Sequence, residues 1–341
     1  MSQASEQRVW EIGEQGLIQI FDVEGGALGG KVLVANGDDA AAWFVDPKYA
    51  SVVTTDSQVE GVHFDLSYAS PVMLGRKLMA VNLSDLAAMG ARPRYVLLSV
   101  CIPAQYRVDL VQKIAHGIRE MCKLHGVAVI GGNTSTIKGP MVLGATLIGR
   151  AEPDELVRRR GAQVGDAIYV TGRLGDAKAG LRMLQAGHRP APDSPFHALY
   201  AAHSNPQPRV EVGRRIAQHR LPTSMCDVSD GLGADLRHLL VPEGLGARLE
   251  GAALPLSDAM RAYAQQAGFS AEEEALTGGE DYELLFTADP ADDRHVVDIC
   301  SSAATPVARI GTVTSAPDLE VILSDGSVCD LPTGFEHYAR E

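Results

Sequence analysis

The chain has 341 residues, 45% of them hydrophobic and 21% charged, and a formal net charge of −13. That length exceeds what one hydrophobic core usually serves, so two domains are expected, and the composition is globular rather than disordered. No basic run is longer than Arg158-Arg159-Arg160, which speaks against a nucleic-acid binder, since that class needs a positive footprint to displace counterions.

In chain order, Lys31–Ala35 and Ser51–Thr55 are short β-branched runs bounded by Gly, Asn and Asp, and they predict strands. Residues 71–90 open with a proline, carry apolar residues at helical spacing and stop at Gly90, which predicts a helix. Tyr95–Ile102 reads as a buried strand, Val108–His125 as a helix, and Val127–Ile130 and Met141–Gly149 as two further strands. A charged, Gly- and Pro-containing stretch at 151–165 marks the crossing from an N-terminal domain (1–150) to a C-terminal one (151–341). The second unit begins with the strand Ala167–Thr171 and a helix near Asp176–Ala186, followed by a Pro-rich loop at 188–198. Then come a helix at Val210–His219, a strand ending at Asp227, a helix from Gly231, and strands at Tyr282–Ala288, Val307–Val313 and Leu319–Leu323. The alternation, with few aromatics and much Ala, Val, Leu and Gly, predicts an α/β or α+β architecture.

The five cysteines form no CxxC and read as reduced thiols. The first sixteen residues show no signal-peptide pattern, and no apolar run reaches the ~18 residues of a membrane span. The expected location is the cytoplasm, with no membrane partner.

The chemistry is carried by acidic clusters: Gly37-Asp38-Asp39, Thr54-Thr55-Asp56, Asn82-Leu83-Ser84-Asp85, Asp227-Val228-Ser229-Asp230-Gly231 and Gly278-Gly279-Glu280-Asp281. A carboxylate at a strand end often only caps the next helix, and Asp230 before Gly231 can be read that way. Asp85 resists this reading. It shares a helix face with Asn82 among Leu78, Val81, Leu86 and Met89, where a carboxylate needs a cation or a hydrogen-bonding partner. Asp39, Asp56, Asp85, Asp227 and Asp230, with neighbouring hydroxyls, form the hard-oxygen set that suits Mg²⁺ and, through it, a polyphosphate. The glycine-rich stretch Gly25–Val32 is one residue short of a P-loop and lacks its hydroxyl, so it is read as a loop. No GxGxxG opens a helix, the histidines show no metal-type pairing, and no Ser-His-Asp or Cys-His arrangement emerges.

In this order the clusters resemble the thiamine-monophosphate kinases of the aminoimidazole ribonucleotide synthetase-like superfamily. The matching stretches are GDDAA (37–41), TTDSQVEGVHF (54–64), GRKLMAVNLSDLAAMGARP (75–93), IGGNTS (130–135), RRGAQVGDAIYVTGRLGDAKAGL (159–181), DVSDGL (227–232), GGEDYELLFT (278–287) and the ending Gly334-Phe335-Glu336-His337-Tyr338. The resemblance implies a two-domain homodimer whose N-terminal sheets pair across a two-fold, with ATP and thiamine monophosphate meeting between the domains. It implies several Mg²⁺ ions held by Asp39, Thr54, Thr55, Asp56, Asp85, Asn133, Asp227 and Asp230. By the same matching, Gly132, Asn133, Arg159 and Ser229 would contact ATP, and His63, Glu280 and Phe335 the thiamine phosphate. The family commonly has an aspartate where Asn133 stands, so one metal site carries less charge here, and two extra residues leave the place of Lys138 open. Within the superfamily, a selenophosphate synthetase would need an N-terminal reactive Cys, a carbamoyl-transfer maturation protein would end in Cys, and a ribonucleotide cyclase would carry a glutamate-containing loop at Asn133. A catalytically silent nucleotide- or metal-binding homologue would have no use for intact Asp56, Asp85, Asp227 and Asp230.

Overall fold

The computed structural model describes residues 32–34, 38–46 and 48–334. The glycine-rich stretch through Lys31, together with Ala35, Gly37 and Phe335 to Tyr338, lies outside the described residues.

The N-terminal sheet contains β1 (Val32–Val34), β2 (Ala41–Phe44), β3 (Ala50–Val59), β4 (Arg92–Ile102), β5 (Ala128–Thr136) and β6 (Val142–Ala151), in the order β1-β2-β3-β6-β4-β5. Two helices, α1 (Pro71–Ala88) and α2 (Val108–His125), accompany it. Strands β4 and β5 run parallel because α2 carries the chain back between them, whereas the other pairs are antiparallel. Within this sheet, β2 is the strand the sequence pattern did not announce, since its AAWF sequence follows the acidic pair directly.

Helix α1 is apolar on nearly every side, the mark of a helix enclosed on all faces. It reaches α2 through two glycines. A Cβ on Gly75 would stand 2.0 Å from the Ile114 carbonyl oxygen, and one on Gly117 would stand 2.0 Å from that of Val72. Gly117→Ala is therefore expected to destabilise the protein by about 2–3 kcal/mol or more, because the helix backbones must separate. A denaturant melt showing less than about 1 kcal/mol would mean the crossing is looser than described.

The second domain contains β7 (Ala167–Thr171), α3 (Asp176–Gln185), α4 (His197–Ser204), α5 (Val210–Gln218), β8 (Pro222–Asp227), α6 (Leu232–Leu240) and β9 (Gly246–Glu250). It continues with α7 (Asp258–Ala267), α8 (Ala271–Thr277), β10 (Leu284–Ala288), α9 (Asp293–Ser302), β11 (Val307–Thr314), β12 (Leu319–Ile322) and β13 (Val328–Asp330). Its sheet runs β13-β12-β9-β11-β7-β10-β8. The predicted Pro-rich loop is present, but α4 takes in the last two residues of the range expected to be irregular.

Each domain has its own apolar core, and a third cluster joins them. There Ala87 and Ala88 at the end of α1 pack with Val212, Ile216 and Ala217 of α5 and with the stacked pair Tyr169–Phe286. Gly213 allows this approach, since a Cβ on it would lie 2.3 Å from the Ala87 carbonyl oxygen. One end of α1 is thus cemented into the second domain, and the rest of its length forms the floor between the two.

Candidate active site

The floor carries the acidic chemistry. Asn82 donates through Nδ2 to the Leu78 carbonyl (3.0 Å) and accepts through Oδ1 from the Asp56 backbone N–H (3.0 Å), which ties β3 to α1. On β3, side chains alternate between faces, so Thr54 and Asp56 look toward α1 and Thr55 looks away. Thr54 donates its hydroxyl to Asp85 Oδ2 at 2.5 Å, whereas Thr55 donates to the Ala145 carbonyl and shares a hydrogen bond with the Thr146 hydroxyl. Asp227 arrives from the second domain at the end of β8. Asp39, from the turn before β2, accepts from Arg159 Nη2 at 2.8 Å, and the Arg159 backbone N–H donates to the carboxylate of Asp38.

Asp39, Asp85 and Asp227 each bring a carboxylate oxygen to within 4.8 Å of the others. Burial, followed by the charges of Asp227, Asp56 and Asp39, pushes the Asp85 carboxyl well above its ordinary range, against the Thr54 hydroxyl. Burial and Asp39 push Asp227 up as well, with the Ser84 hydroxyl and Arg159 opposing. Asp38 is raised to about 6 by burial and then by Asp39. Among the described residues, Arg159 is the guanidinium paired with this group, and Asp39 Oδ2 is buried without a hydrogen-bond partner. Like charges this close, in surroundings this dry, call for a cation. The donors are hard oxygens, which fit Mg²⁺.

Two turns frame the cluster. In the 227–231 loop, the backbone N–H groups of Ser229, Asp230 and Gly231 all donate to Asp235 Oδ2, each at 3.1 Å. The helix N-cap position is Gly231, so Asp230 does not occupy it. Asp235 was not singled out from the sequence, although an aspartate one turn into the helix that follows such a loop is a recognisable signal.

The second turn contains two non-glycine residues at positive φ, Glu280 (67°) and Tyr282 (51°), a conformation that costs about 1–3 kcal/mol each and has to be held from outside. It is held on both sides. Glu280 N–H donates to the Ser229 carbonyl and Tyr282 N–H to that of Val228, both at 2.8 Å, while Asp281 accepts from the N–H groups of Gly175 and Ala177 at the start of α3. The Glu280 side chain meets Lys77 Nζ of α1 at 2.6 Å and His203 Nδ1 of α4 at 3.0 Å. Neither partner was anticipated from the sequence.

His63 accepts the Val59 N–H on Nδ1 (3.1 Å), which leaves its proton on Nε2. A cavity of about 790 Å³ opens beside this loop, walled by Val62, Phe64, Asp65 and Tyr68 on one side and Leu184 and Arg189 on the other. The Tyr68 phenol at this cavity is raised by burial and then by the charges of Asp65 and Glu280.

The remaining predicted residues lie apart. Gly132 and Asn133 are on β5, where Gly132 pairs with Leu98 and Asn133 with Ser99. Strand β5 is three strands from β3, roughly 14 Å at ~4.8 Å per spacing. A Cβ on Gly132 would overlap the Leu98 carbonyl, so this close approach requires glycine. Pairing across the sheet puts Asn133 on the same outward face as Ser99, Gly144 and Ser57, opposite Asp85. Lys138 lies in the turn after β5. Phe335 falls outside the described residues, but Gly334 lies against the Asp230 carbonyl, 2.0 Å from where its Cβ would be.

Comparison with known proteins agrees with this geometry. Residues 37–151 match the AIR synthase related protein, N-terminal domain, and residues 163–324 the corresponding C-terminal domain. The chain is 33% identical over 315 residues to the thiamine-monophosphate kinase of Rhodopirellula baltica, covering 90% of this chain and 92% of that one. It is 37% identical over 279 residues to that of Haemophilus influenzae, covering 82% of each. A solved structure described as AaThiL complexed with AMPPCP and TMP superposes with a TM-score of 0.84 at 32% identity, over 97% of this chain and 99% of that one.

Proposed function

We propose a reaction that rests on one premise: the chain belongs to the thiamine-monophosphate kinase family of AIR synthase related proteins and is an enzyme of that kind. It transfers the γ-phosphoryl group of ATP to thiamine monophosphate, giving ADP and thiamine diphosphate. The observation that carries the mechanistic reading is the cluster of Asp39, Asp85 and Asp227, three carboxylates against the one guanidinium of Arg159, on the floor between the domains.

Mg²⁺ held by Asp39, Asp85 and Asp227, with Thr54, Asp56 and Asp230 at the rim, would neutralise the phosphoryl oxygens of both substrates. Arg159 and Ser229 are proposed to hold the ATP phosphates. Gly132 and Asn133 are proposed contacts for the far end of the nucleotide. Any ion that Asn133 or Thr55 ligates is a different one from the ion at Asp85, since both lie on the outward face. Along the floor, Lys77 and Asp85 are eight residues apart, roughly 12 Å of helix, and this places Glu280 at the ring end of an acceptor whose phosphate sits at the cluster. A phosphate monoester carries about −1.5 to −2 charge near neutral pH. The acceptor oxygen is therefore already anionic, and direct in-line transfer needs no general base.

The proposed assembly is a homodimer through the outward face of the N-terminal sheet. Tyr95 and Leu97 are exposed there, and every residue of the edge strand β5, Val129 and Ile130 included, is exposed. An apolar, unpaired edge of this kind is ordinarily covered. No helix among the described residues is long and apolar enough to cross a membrane, and the cytoplasm is the proposed location.

Glu280→Gln is expected to raise KM for thiamine monophosphate about tenfold with little change in KM for ATP, the loss of one hydrogen bond to a charged group. ADP release, measured with each substrate varied in turn, tests this. A rise confined to KM for ATP would place Glu280 elsewhere.

A further inference from the structure

Glu280 is held by two residues that do not belong to its own turn. Lys77 comes from α1 in the first domain and His203 from α4 in the second, and their side chains are 5% and 7% exposed, against 25% for Glu280. Each carboxylate oxygen has one of them: Oε1 takes Lys77 and Oε2 takes His203. Both are close polar contacts, at 2.6 Å for Lys77 and 3.0 Å for His203. With a quarter of its side chain exposed, the carboxylate still has room for a further donor.

Burial and the Lys77 charge hold His203 below its ordinary range, so at neutral pH it is an uncharged imidazole that can donate through Nδ1. Burial works to raise the Glu280 carboxyl, but Lys77 and His203 outweigh it and keep the group ionised. The three residues then sum to no net charge: one ammonium, one carboxylate, one neutral ring. A carboxylate cancelled in this way attracts a cation weakly, yet its free lone pairs still accept hydrogen bonds.

We propose that Lys77 and His203 are positioning residues for acceptor recognition, fixing the Glu280 carboxylate and cancelling its charge so that it selects an N–H donor on the ring end of the acceptor rather than the positive charge there. The proposal rests on the reading of the acceptor as thiamine monophosphate. In that molecule the N–H donor is the exocyclic amine of the pyrimidine, and the positive charge is on the thiazolium.

Lys77→Met, Lys77→Arg, His203→Ala, Glu280→Gln and the Lys77→Met/Glu280→Gln double variant are assayed for ADP release with ATP and acceptor varied separately. Lys77→Met is expected to raise KM for thiamine monophosphate about tenfold with KM for ATP within about twofold, and Lys77→Arg to recover most of it. His203→Ala is expected to raise the same constant by about threefold or more. Because Lys77 acts through Glu280, the double variant should be no worse than Glu280→Gln alone, a coupling that separates positioning from general damage to the fold. Against the unaltered enzyme, an acceptor analogue with a carbonyl in place of the exocyclic amine should lose about tenfold or more, and one with a neutral ring in place of the thiazolium about threefold or less.

Additive effects in the double variant, an equal rise in KM for ATP, or a neutral-ring analogue that loses more than the amine-free one would overturn the proposal. If Lys77→Met is not obtained folded, Lys77→Arg, His203→Ala and the two analogues decide it. No effect of Glu280→Gln on KM for thiamine monophosphate would instead overturn the underlying assignment of Glu280.

Discussion

Asp227→Asn is expected to lower kcat/KM by about a thousandfold and, in the absence of divalent ions, to raise the thermal midpoint by a few degrees. Both effects have one cause. Asp227 is 3% exposed and is pushed up by burial and by Asp39, so its charge is opposed until an ion arrives. An amide keeps the shape, but it removes one of three mutually repelling carboxylates. The metal-free fold gains, and the site loses a hard anionic ligand. Added Mg²⁺ should raise the midpoint of the unaltered protein by mass action and leave that of the variant nearly unchanged. Thermal melts with and without Mg²⁺, alongside turnover, check both halves. A lower midpoint in the metal-free variant would mean that Asp227 serves the fold rather than an ion.

Free thiamine is expected to be phosphorylated about a thousandfold more slowly than thiamine monophosphate, although it is the smaller molecule. Thiamine presents a neutral alcohol whose proton must leave as the phosphoryl group arrives, and kinases acting on hydroxyls place an aspartate to take it. Here Asp39, Asp85 and Asp227 face one another, Asp235 is occupied by three backbone N–H groups, and Asp281 caps α3. These carboxylates are committed to the ion cluster or to backbone donors. ADP release with each acceptor at equal concentration and saturating ATP tests the point. Comparable rates would identify one of these carboxylates as a base and end the direct-transfer mechanism.

How far the sequence foretold the site follows from the range over which each interaction acts. Asp85 could be found because its conflict is local: a carboxylate among leucines on a helix whose period is plain. The strands carrying Thr54 and Asp227 were legible for the same reason, as β-branched or apolar runs ending in acid. Lys77 was not, because a lysine in GRKLM reads as an ordinary solvated helix residue until the second domain closes over it. His203 was lost with α4, whose start is masked by the prolines of 188–198 and whose burial depends on α3 and α7 packing around it. The strand alternation that turns Thr55 away from Thr54 is a period-two rule, but the face that meets α1 is fixed only by the Thr54–Asp85 and Asp56–Asn82 hydrogen bonds. The separation of Asn133 from Asp56 could not be read either, because strand order β3-β6-β4-β5 is decided by long-range pairing.

The cementing of the last turn of α1 into the second domain has a mechanical consequence. A rotation of one domain against the other would pivot most easily near Ala87 and Ala88, where Gly213 packs without slack. Asp85 is three residues from that pivot, roughly 4–5 Å, and Lys77 is eleven residues away, roughly 16 Å. A swing of about 10° then displaces Asp85 by under ~1 Å and Lys77 by ~3 Å over these helix lengths. The first shift leaves the carboxylate cluster intact, and the second is enough to part Lys77 from Glu280. On the proposed assignment of the site, the two ends of one helix then work on different terms: the acceptor end can gape to exchange its occupant while the ion end stays assembled around its charge. Affinity for the ion should accordingly be indifferent to which acceptor is bound, and acceptor exchange should proceed without loss of the ion.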